Sequence, residues 1–263
     1  MKTAAIYIVF ITILFTSCGV NRVYTPGSYG SGTIKSYNAR PIYKDTTVSE
    51  TYISGSISKG AIKHLKKESS KDQKILTTLN IHKGISTKKF NFHYGLGASY
   101  GKYTFKYPLG TLIRKNETKN FYSFNAKIGG NLRKSKENSE KRRLGLELNY
   151  TYEFGPYQNK LTFLKEQLDS KKYIIVNKKS MISLNMYWER IFIINPSNNF
   201  GYQLYLGWIV GDIKEKYNIP EGNSQFGGLI LYYTHKKYTF SFVNEISSHD
   251  DSRSLTFGIS YKL

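Results

Sequence analysis

From residue 144 to residue 155 the chain alternates without a break. Leu144, Leu146, Leu148, Tyr150, Tyr152 and Phe154 occupy one set of positions, and Gly145, Glu147, Asn149, Thr151, Glu153 and Gly155 the other. Side chains two residues apart share a face only in a β-strand, so this period predicts a strand with one apolar face and one small or polar face. A soluble antiparallel sheet shows the same contrast, and length and ring placement must separate the cases. Soluble strands average about 5–6 residues, whereas about 9–11 tilted residues cross a bilayer. This run reaches the longer figure, with its rings gathered at one end.

Two further stretches repeat the contrast. Phe90, Phe92, Tyr94, Leu96, Ala98 and Tyr100 alternate with Asn91, His93, Gly95, Gly97, Ser99 and Gly101; Phe200, Tyr202, Leu204, Leu206, Trp208 and Val210 alternate with Gly201, Gln203, Tyr205, Gly207, Ile209 and Gly211. Ten strand candidates follow one another at 51–59, 74–82, 90–102, 121–132, 144–154, 181–193, 200–211, 226–235, 238–246 and 254–262, and no convincing amphipathic helix interrupts them. In a soluble barrel the large apolar side chains would point inward and charges would coat the outside. Here the second face is rich in Gly, Ser and Asn and poor in Lys, which suits a narrow, polar lumen. The expected fold is all-β: an antiparallel up-and-down transmembrane barrel over residues 51–263.

Connection lengths agree. With ten strands both ends of the barrel segment lie on one side, where the connections near 83–89, 133–143, 195–199 and 236–237 are mostly short. Those near 60–73, 103–120, 155–180, 212–225 and 247–253 are mostly longer, as expected of periplasmic turns and external loops. Lys236-Lys237 is as tight as a hairpin gets, and 195–198 is built of turn-forming residues.

The N-terminus carries a different pattern. Lys2 precedes an apolar run from Ala4 to Phe15 that is too short for a membrane span of about 20 residues and fits the core of a signal peptide, residues 1–17. The only cysteine follows at once, and Ile13-Leu14-Phe15-Thr16-Ser17-Cys18 resembles the bacterial lipobox, although Phe15 stands where an aliphatic residue is usual. The resemblance implies that Cys18 is acylated and becomes the first residue of the mature protein; an ordinary secretory signal containing a cysteine is the alternative. Gly19-Val20-Asn21-Arg22 replaces the acidic run of many surface-exported lipoproteins, which implies an anchor in the periplasmic leaflet. Residues 18–50, with Pro26-Gly27, Gly30, Gly32 and Pro41, lack a sustained period and read as a flexible, lipid-anchored linker with no core of its own.

The C-terminus ends Thr256-Phe257-Gly258-Ile259-Ser260-Tyr261-Lys262-Leu263. Thr256, Gly258, Tyr261 and Leu263 resemble the terminal signal read by the barrel assembly machinery, with Leu263 in place of the commoner Phe. Together with the lipobox, the chain resembles small outer-membrane β-barrel proteins of Bacteroidetes-type bacteria. That resemblance implies a location, the outer membrane and its lipid, more than an activity.

Composition refines this picture. The 263 residues carry 39 Lys and Arg against 18 Asp and Glu, a net charge of +21, and 23 tyrosines. The tyrosines suit rings that sit between apolar and wet surroundings, though an AT-rich genome would supply them as well. The charge suits an anionic partner. An exported chain does not meet nucleic acid, so the external loops are matched instead to lipopolysaccharide. Residues 155–180 carry Lys160, Lys165, Lys171, Lys172, Lys178 and Lys179 against Glu166 and Asp169, and residues 103–120 add Lys106, Arg114, Lys115 and Lys119. One cysteine excludes an intramolecular disulfide framework, no His/Cys spacing offers a zinc site, and no cofactor is expected.

Inward positions hold Lys127, Glu147, Glu153, Glu189 and Glu245, and charges in a low-dielectric interior must pair. A hairpin closing at 137–138 sets Lys127 nearly opposite Glu147 or Leu148. The network is then either an ion path or an ionic plug in a barrel too narrow to conduct, and the plug is favoured. His93 reads as a lumenal hydrogen-bonding residue. His249-Asp250-Asp251 offers material for a general base, and ten strands match the omptin proteases. Omptins, however, place a His two residues after its Asp, the reverse of this order, and Glu245, Ser248 and His249 do not match a lipid A deacylase. A non-catalytic barrel is therefore expected. An outer-membrane hydrolase and a soluble, tethered lipid-binding barrel stand as the alternatives.

Overall fold

The computed structural model describes the chain apart from residues 1–21, 29–36, 44–45, 63–70, 107, 110, 137–138, 169–172, 196, 211–224 and 248–251. Cys18 and His249-Asp250-Asp251 lie outside the described residues.

Its strands are β1 (Arg22–Tyr24), β2 (Val48–Ile62), β3 (Asp72–Ser86), β4 (Phe90–Thr104), β5 (Thr118–Lys136), β6 (Ser139–Phe154), β7 (Tyr173–Ile175), β8 (Ser180–Asn195), β9 (Asn198–Val210), β10 (Gln225–His235), β11 (Tyr238–Ser247) and β12 (Ser252–Lys262). One helix, α1 (Pro156–Gln167), lies between β6 and β7. All but β1 and β7 form a closed barrel in the order β10-β11-β12-β2-β3-β4-β5-β6-β8-β9. Every barrel pairing is antiparallel, with β12 bonded to β2 from Ser252↔Ile62 to Lys262↔Tyr52 and β9 to β10 from Gln225↔Trp208 to His235↔Asn198. Closure leaves no strand edge unpaired, the condition for a sheet to cross lipid.

Alternation decides which face is which. Leu146 is 51% exposed and Leu148 46%, while Glu147 between them is 2% exposed. Phe90, Leu96, Phe124, Leu204, Leu206, Phe240 and Phe257 point outward with them, so the outside of the wall is apolar and the charges are inside. This is the surface of a barrel set in lipid. The short connections lie at the end where β2 begins and β12 finishes. Asn195 Oδ1 accepts from the Ser197 N–H at 3.0 Å in one of them, and Lys236 takes φ 54 in the two-residue hairpin between β10 and β11.

Three expectations need correcting. The segment 155–180 contains α1, because Tyr157, Leu161 and Leu164 recur at helical spacing, Pro156 starts the helix, and a covered side is available at the barrel mouth. The linker has a core: β1 pairs in parallel with β7, Tyr24 packs among Tyr103, Phe105, Ile113, Phe121, Tyr157 and Ile175, and Tyr37 and Ala39 are buried in the barrel. The lumen is also not uniformly polar. Tyr187, Tyr205, Phe226, Ile230, Tyr232 and Val243 make an apolar lining on the side of β8 to β11.

Candidate functional site

The lumen is occupied by the chain's own N-terminal segment. β6 serves as a ruler for it, because its inward residues contact that segment in descending order. At the loop end, the Glu153 carboxylate accepts from the Gly27 N–H at 3.0 Å, from the Ser28 N–H and hydroxyl, and from Gln158 Nε2 at 2.7 Å. Deeper, Glu147 Oε2 accepts from Asn38 Nδ2 at 2.9 Å and stands 2.6 Å from His93 Nε2, while its other oxygen faces the amides of Asn149 and Asn185, each at 3.3 Å. Toward the turn end, Arg142 Nη2 donates to the Pro41 carbonyl at 3.1 Å. Arg133, which opposes Arg142 on β5, stacks its guanidinium over the Tyr43 ring at 4.6 Å.

Other walls close on residues 37–40. Glu189 on β8 accepts from Arg40 Nη2 at 2.9 Å, Arg142 Nη1 at 3.3 Å, Tyr232 at 2.7 Å and Tyr37 at 3.2 Å. Arg40 also donates to the Tyr187 hydroxyl and to Gln203 Oε1 at 3.3 Å. Tyr37 stacks on Tyr232 with centroids 4.1 Å apart, and His82 Nε2 lies 2.9 Å from the Ala39 carbonyl. Glycine makes the close approach workable. A Cβ on Gly84 would fall 2.9 Å from Pro41 Cδ, so the wall touches the segment there through bare backbone.

The sequence-predicted charges are thus all lumenal and serve different neighbours. Glu147, Glu153 and Glu189 bind the N-terminal segment. Glu245 accepts from the Tyr205 hydroxyl at 2.6 Å on the wall itself. Lys127 is buried, but it opposes Asn149 instead of Glu147 or Leu148, because a bulge between Gly130 and Leu132 shifts the register by one. Of the residues that resemble a terminal assembly signal, Thr256 faces the lumen and Gly258 pairs with Ser241 and Ser56. Tyr261 pairs with Tyr238, and the Leu263 N–H donates to the Thr51 carbonyl at 3.0 Å.

Arg40, Arg142, Glu140 and Arg133 were not singled out from the sequence. Glu140 lies 2.7 Å from Arg142 and 2.8 Å from Arg133, at the turn end of β6, in a stretch that reads as a charged turn. Arg40 gave no signal, since a lone cation in a Gly/Pro-rich segment looks like a solvated one. Among the described residues, no cluster of three His, Cys, Asp or Glu side chains could hold a metal.

A cap lies over the loop end. Tyr157 on α1 donates to the Thr25 carbonyl at 2.9 Å; burial, with the Glu153 charge adding to it, raises its phenol well above the ordinary value and keeps it a neutral donor. Lys160 bridges to Glu117 Oε1 at 3.1 Å and to the Leu112 carbonyl at 2.6 Å. Partial burial pushes the Glu117 carboxyl up, but the Arg114 N–H, Lys160 and Lys119 outweigh it and hold it below the usual carboxylate value.

No protein-family model matches the sequence, and no curated protein matches it significantly. Solved barrels do resemble the structure at low identity. The translocator domain of the autotransporter NalP from Neisseria meningitidis is 6% identical over 81% of this chain and 88% of its own, with a TM-score of 0.44. The transport unit of the autotransporter AIDA-I from Escherichia coli is 10% identical over 91% and 100%, with a TM-score of 0.41. The outer membrane protein OprG from Pseudomonas aeruginosa is 11% identical over 83% and 97%, with a TM-score of 0.37.

Proposed function

We propose that this is a non-catalytic outer-membrane barrel, anchored by acyl chains on Cys18 and sealed by its own N-terminal segment, whose loop-end cap meets anionic material outside. The observation that carries the reading is the use of three buried lumenal carboxylates. Glu153, Glu147 and Glu189 stand at successive depths, and each bonds to residues between 27 and 40. Acidic side chains facing an open aqueous pore would be hydrated and free to attract cations. Here they are saturated by peptide N–H groups, an amide and a guanidinium, which favours a fixed filling over a conduction path.

The cap supplies the outward role. Lys165 on α1 and Lys179 beside β8 are exposed, and clustered cations attract lipopolysaccharide phosphates without a fixed pocket. Insertion itself would use the barrel assembly machinery, through the strand ending in Leu263. A hydrolase of the deacylase kind would need its carboxylate on the lipid-facing wall, and Glu245 faces the lumen instead.

Conductance in planar lipid bilayers tests the seal. The intact protein is expected to stay closed, and a variant lacking residues 25–43 to open. A wild-type barrel that conducts steadily would move the reading to small-solute passage, and hydrolysis of lipid or peptide lost on His249→Ala would move it to an enzyme.

A further inference from the structure

The two ends of the lumenal segment lie at opposite mouths of the barrel. At one end, Val48 pairs with Ser86 beside the short turn into β4, and the C-terminal Leu263 bonds to Thr51. This is the mouth of short connections, which in an outer-membrane barrel faces the periplasm. At the other end, β1 pairs with β7 in the longest connection, the Val176 N–H donates to the Tyr24 carbonyl at 2.9 Å, and Tyr24 is buried under α1 and residues 103–113. Gly27 is pressed against the wall, where a Cβ would fall 2.5 Å from the Phe121 ring. Between these ends Asn38, Arg40, Pro41 and Tyr43 meet the lumen in order of depth. The described residues therefore place 22–28 at the loop mouth and 37–43 in the lumen, with β2 beginning at the turn mouth.

Chain reach then fixes where an N-terminal anchor lies. Six residue steps separate Cys18 from Tyr24, and at the limit of about 3.3–3.6 Å per residue they span roughly 20 Å. The hydrocarbon layer alone is about 30 Å thick. With Tyr24 at the loop mouth, Cys18 cannot reach the periplasmic leaflet, whatever course the intervening residues take. We infer that the mature N-terminus threads outward through its own barrel and that the acyl chains on Cys18 enter the external leaflet beside the loops. The threading stands on the contacts above; the acyl chains rest on the acylation reading under Proposed function. This inference departs from the sequence-based expectation of a periplasmic-leaflet anchor.

The experiment places single thiols in cells and reads them with a membrane-impermeant maleimide before and after permeabilisation. Val20→Cys reports the N-terminus, Glu166→Cys on the exposed side of α1 reports the outside, and Ser197→Cys in the β8–β9 turn reports the periplasm. Intact mass of the wild-type protein reports acylation of Cys18. The inference expects Val20→Cys to react in intact cells to the same extent as Glu166→Cys, with Ser197→Cys reacting only after permeabilisation and Cys18 carrying acyl chains. Val20→Cys reacting only after permeabilisation overturns the threading and leaves acylation untouched. Surface reaction with an unacylated Cys18, which would itself label, overturns the external anchor and leaves the threading standing. A short epitope inserted after Asn21 gives a second readout on whole cells if lipid shields the thiol at position 20: antibody binding there supports the threading, and binding only after lysis overturns it.

Discussion

Arg40 and Glu189 form an ion pair of 2.9 Å with side chains 2% and 0% exposed, and it joins the N-terminal segment to β8, the strand beside β6 in the barrel wall. Neither charge is isolated. Arg142 shares Glu189 and is itself held by Glu140, which also pairs with Arg133, so three guanidiniums and two carboxylates form one linked group that includes residue 40. Removing one partner of a buried pair leaves an uncompensated charge and costs about 3–5 kcal/mol. Arg40→Met is expected at the lower end, because Arg142 still faces Glu189. The double variant Arg40→Met/Glu189→Gln is expected to lose less than the two single changes added together. Thermal unfolding in detergent, followed by gel mobility of heated against unheated samples, measures both.

Gly84 tests the same packing without charge. Alanine there would set its Cβ 2.9 Å from Pro41 Cδ and 3.4 Å from Arg40 Cα, and neither a proline ring nor backbone yields easily. Overpacking of this kind costs about 1–3 kcal/mol. Because the barrel wall is continuous through hydrogen bonds, the segment should give way first. Gly84→Ala is expected to raise bilayer conductance above that of the wild type while strand content by circular dichroism stays unchanged.

How much of this was legible in the sequence depends on what each residue has to repeat. Leu146, Glu147 and Leu148 declare their faces because the pleat fixes a period of two, and lipid on one side makes errors costly. Connection lengths told the two mouths of the barrel apart. The partner of Glu147 was not legible: a bulge near Asn131 moved the cross-strand register by one residue, and bulges leave no periodic trace. The lumenal segment was harder still. Tyr37, Asn38 and Arg40 occupy an extended chain bonded to side chains on four different strands, so no local spacing encodes their burial. Helix α1 was readable at Tyr157, Leu161 and Leu164, but its lysines diluted the signal.

The facing assignment predicts an asymmetry between neighbours on one strand. Leu148 and Leu204 are 46% and 49% exposed on the outer wall, and arginine on the lipid face near the bilayer midplane costs about 2–4 kcal/mol. Leu148→Arg and Leu204→Arg should each lower stability by that order in denaturant-driven refolding into bilayers. In cysteine scanning of the folded barrel, probes at 146, 148, 204 and 206 should report lipid contact and probes at 147 and 203 should not. Equal reaction of both sets with a water-soluble thiol reagent would show the assignment to be wrong.

The cap carries its own pH dependence through Glu117. Its carboxyl is held below the usual value by the Arg114 N–H, Lys160 and Lys119 against the opposing effect of partial burial. A depressed folded-state value means that the stabilisation is complete above the ordinary carboxylate range and is lost as pH falls through the depressed value. Acidification should therefore loosen the contact between α1 and residues 111–117 while the barrel persists. Hydrogen exchange of the α1 amides, corrected for intrinsic rates, should increase with acidification in the wild type. In Glu117→Gln it should be faster near neutrality and depend less on pH.

The lysines of the segment 155–180 test the outward role, and the structure divides them. Lys160 is engaged with Glu117 and the Leu112 carbonyl, so replacing it disturbs the cap as well as the field. Lys165 donates to Asn177 at 3.1 Å on an exposed surface, and Lys179 is exposed beside the start of β8, so both can be changed with little structural cost. Exposed charges act over about 8 Å at physiological ionic strength, and their attraction for phosphate should fall as salt rises. Lys165→Gln/Lys178→Gln/Lys179→Gln is expected to weaken binding to lipopolysaccharide vesicles and flatten its salt dependence, with unfolding temperature unchanged. The same triple change should have a smaller effect on binding to vesicles of zwitterionic lipid, where each phosphate is offset by its own headgroup cation and the surface carries no net charge. Equal binding of wild type and variant to lipopolysaccharide at low salt would remove that partner and leave these lysines as solvating residues.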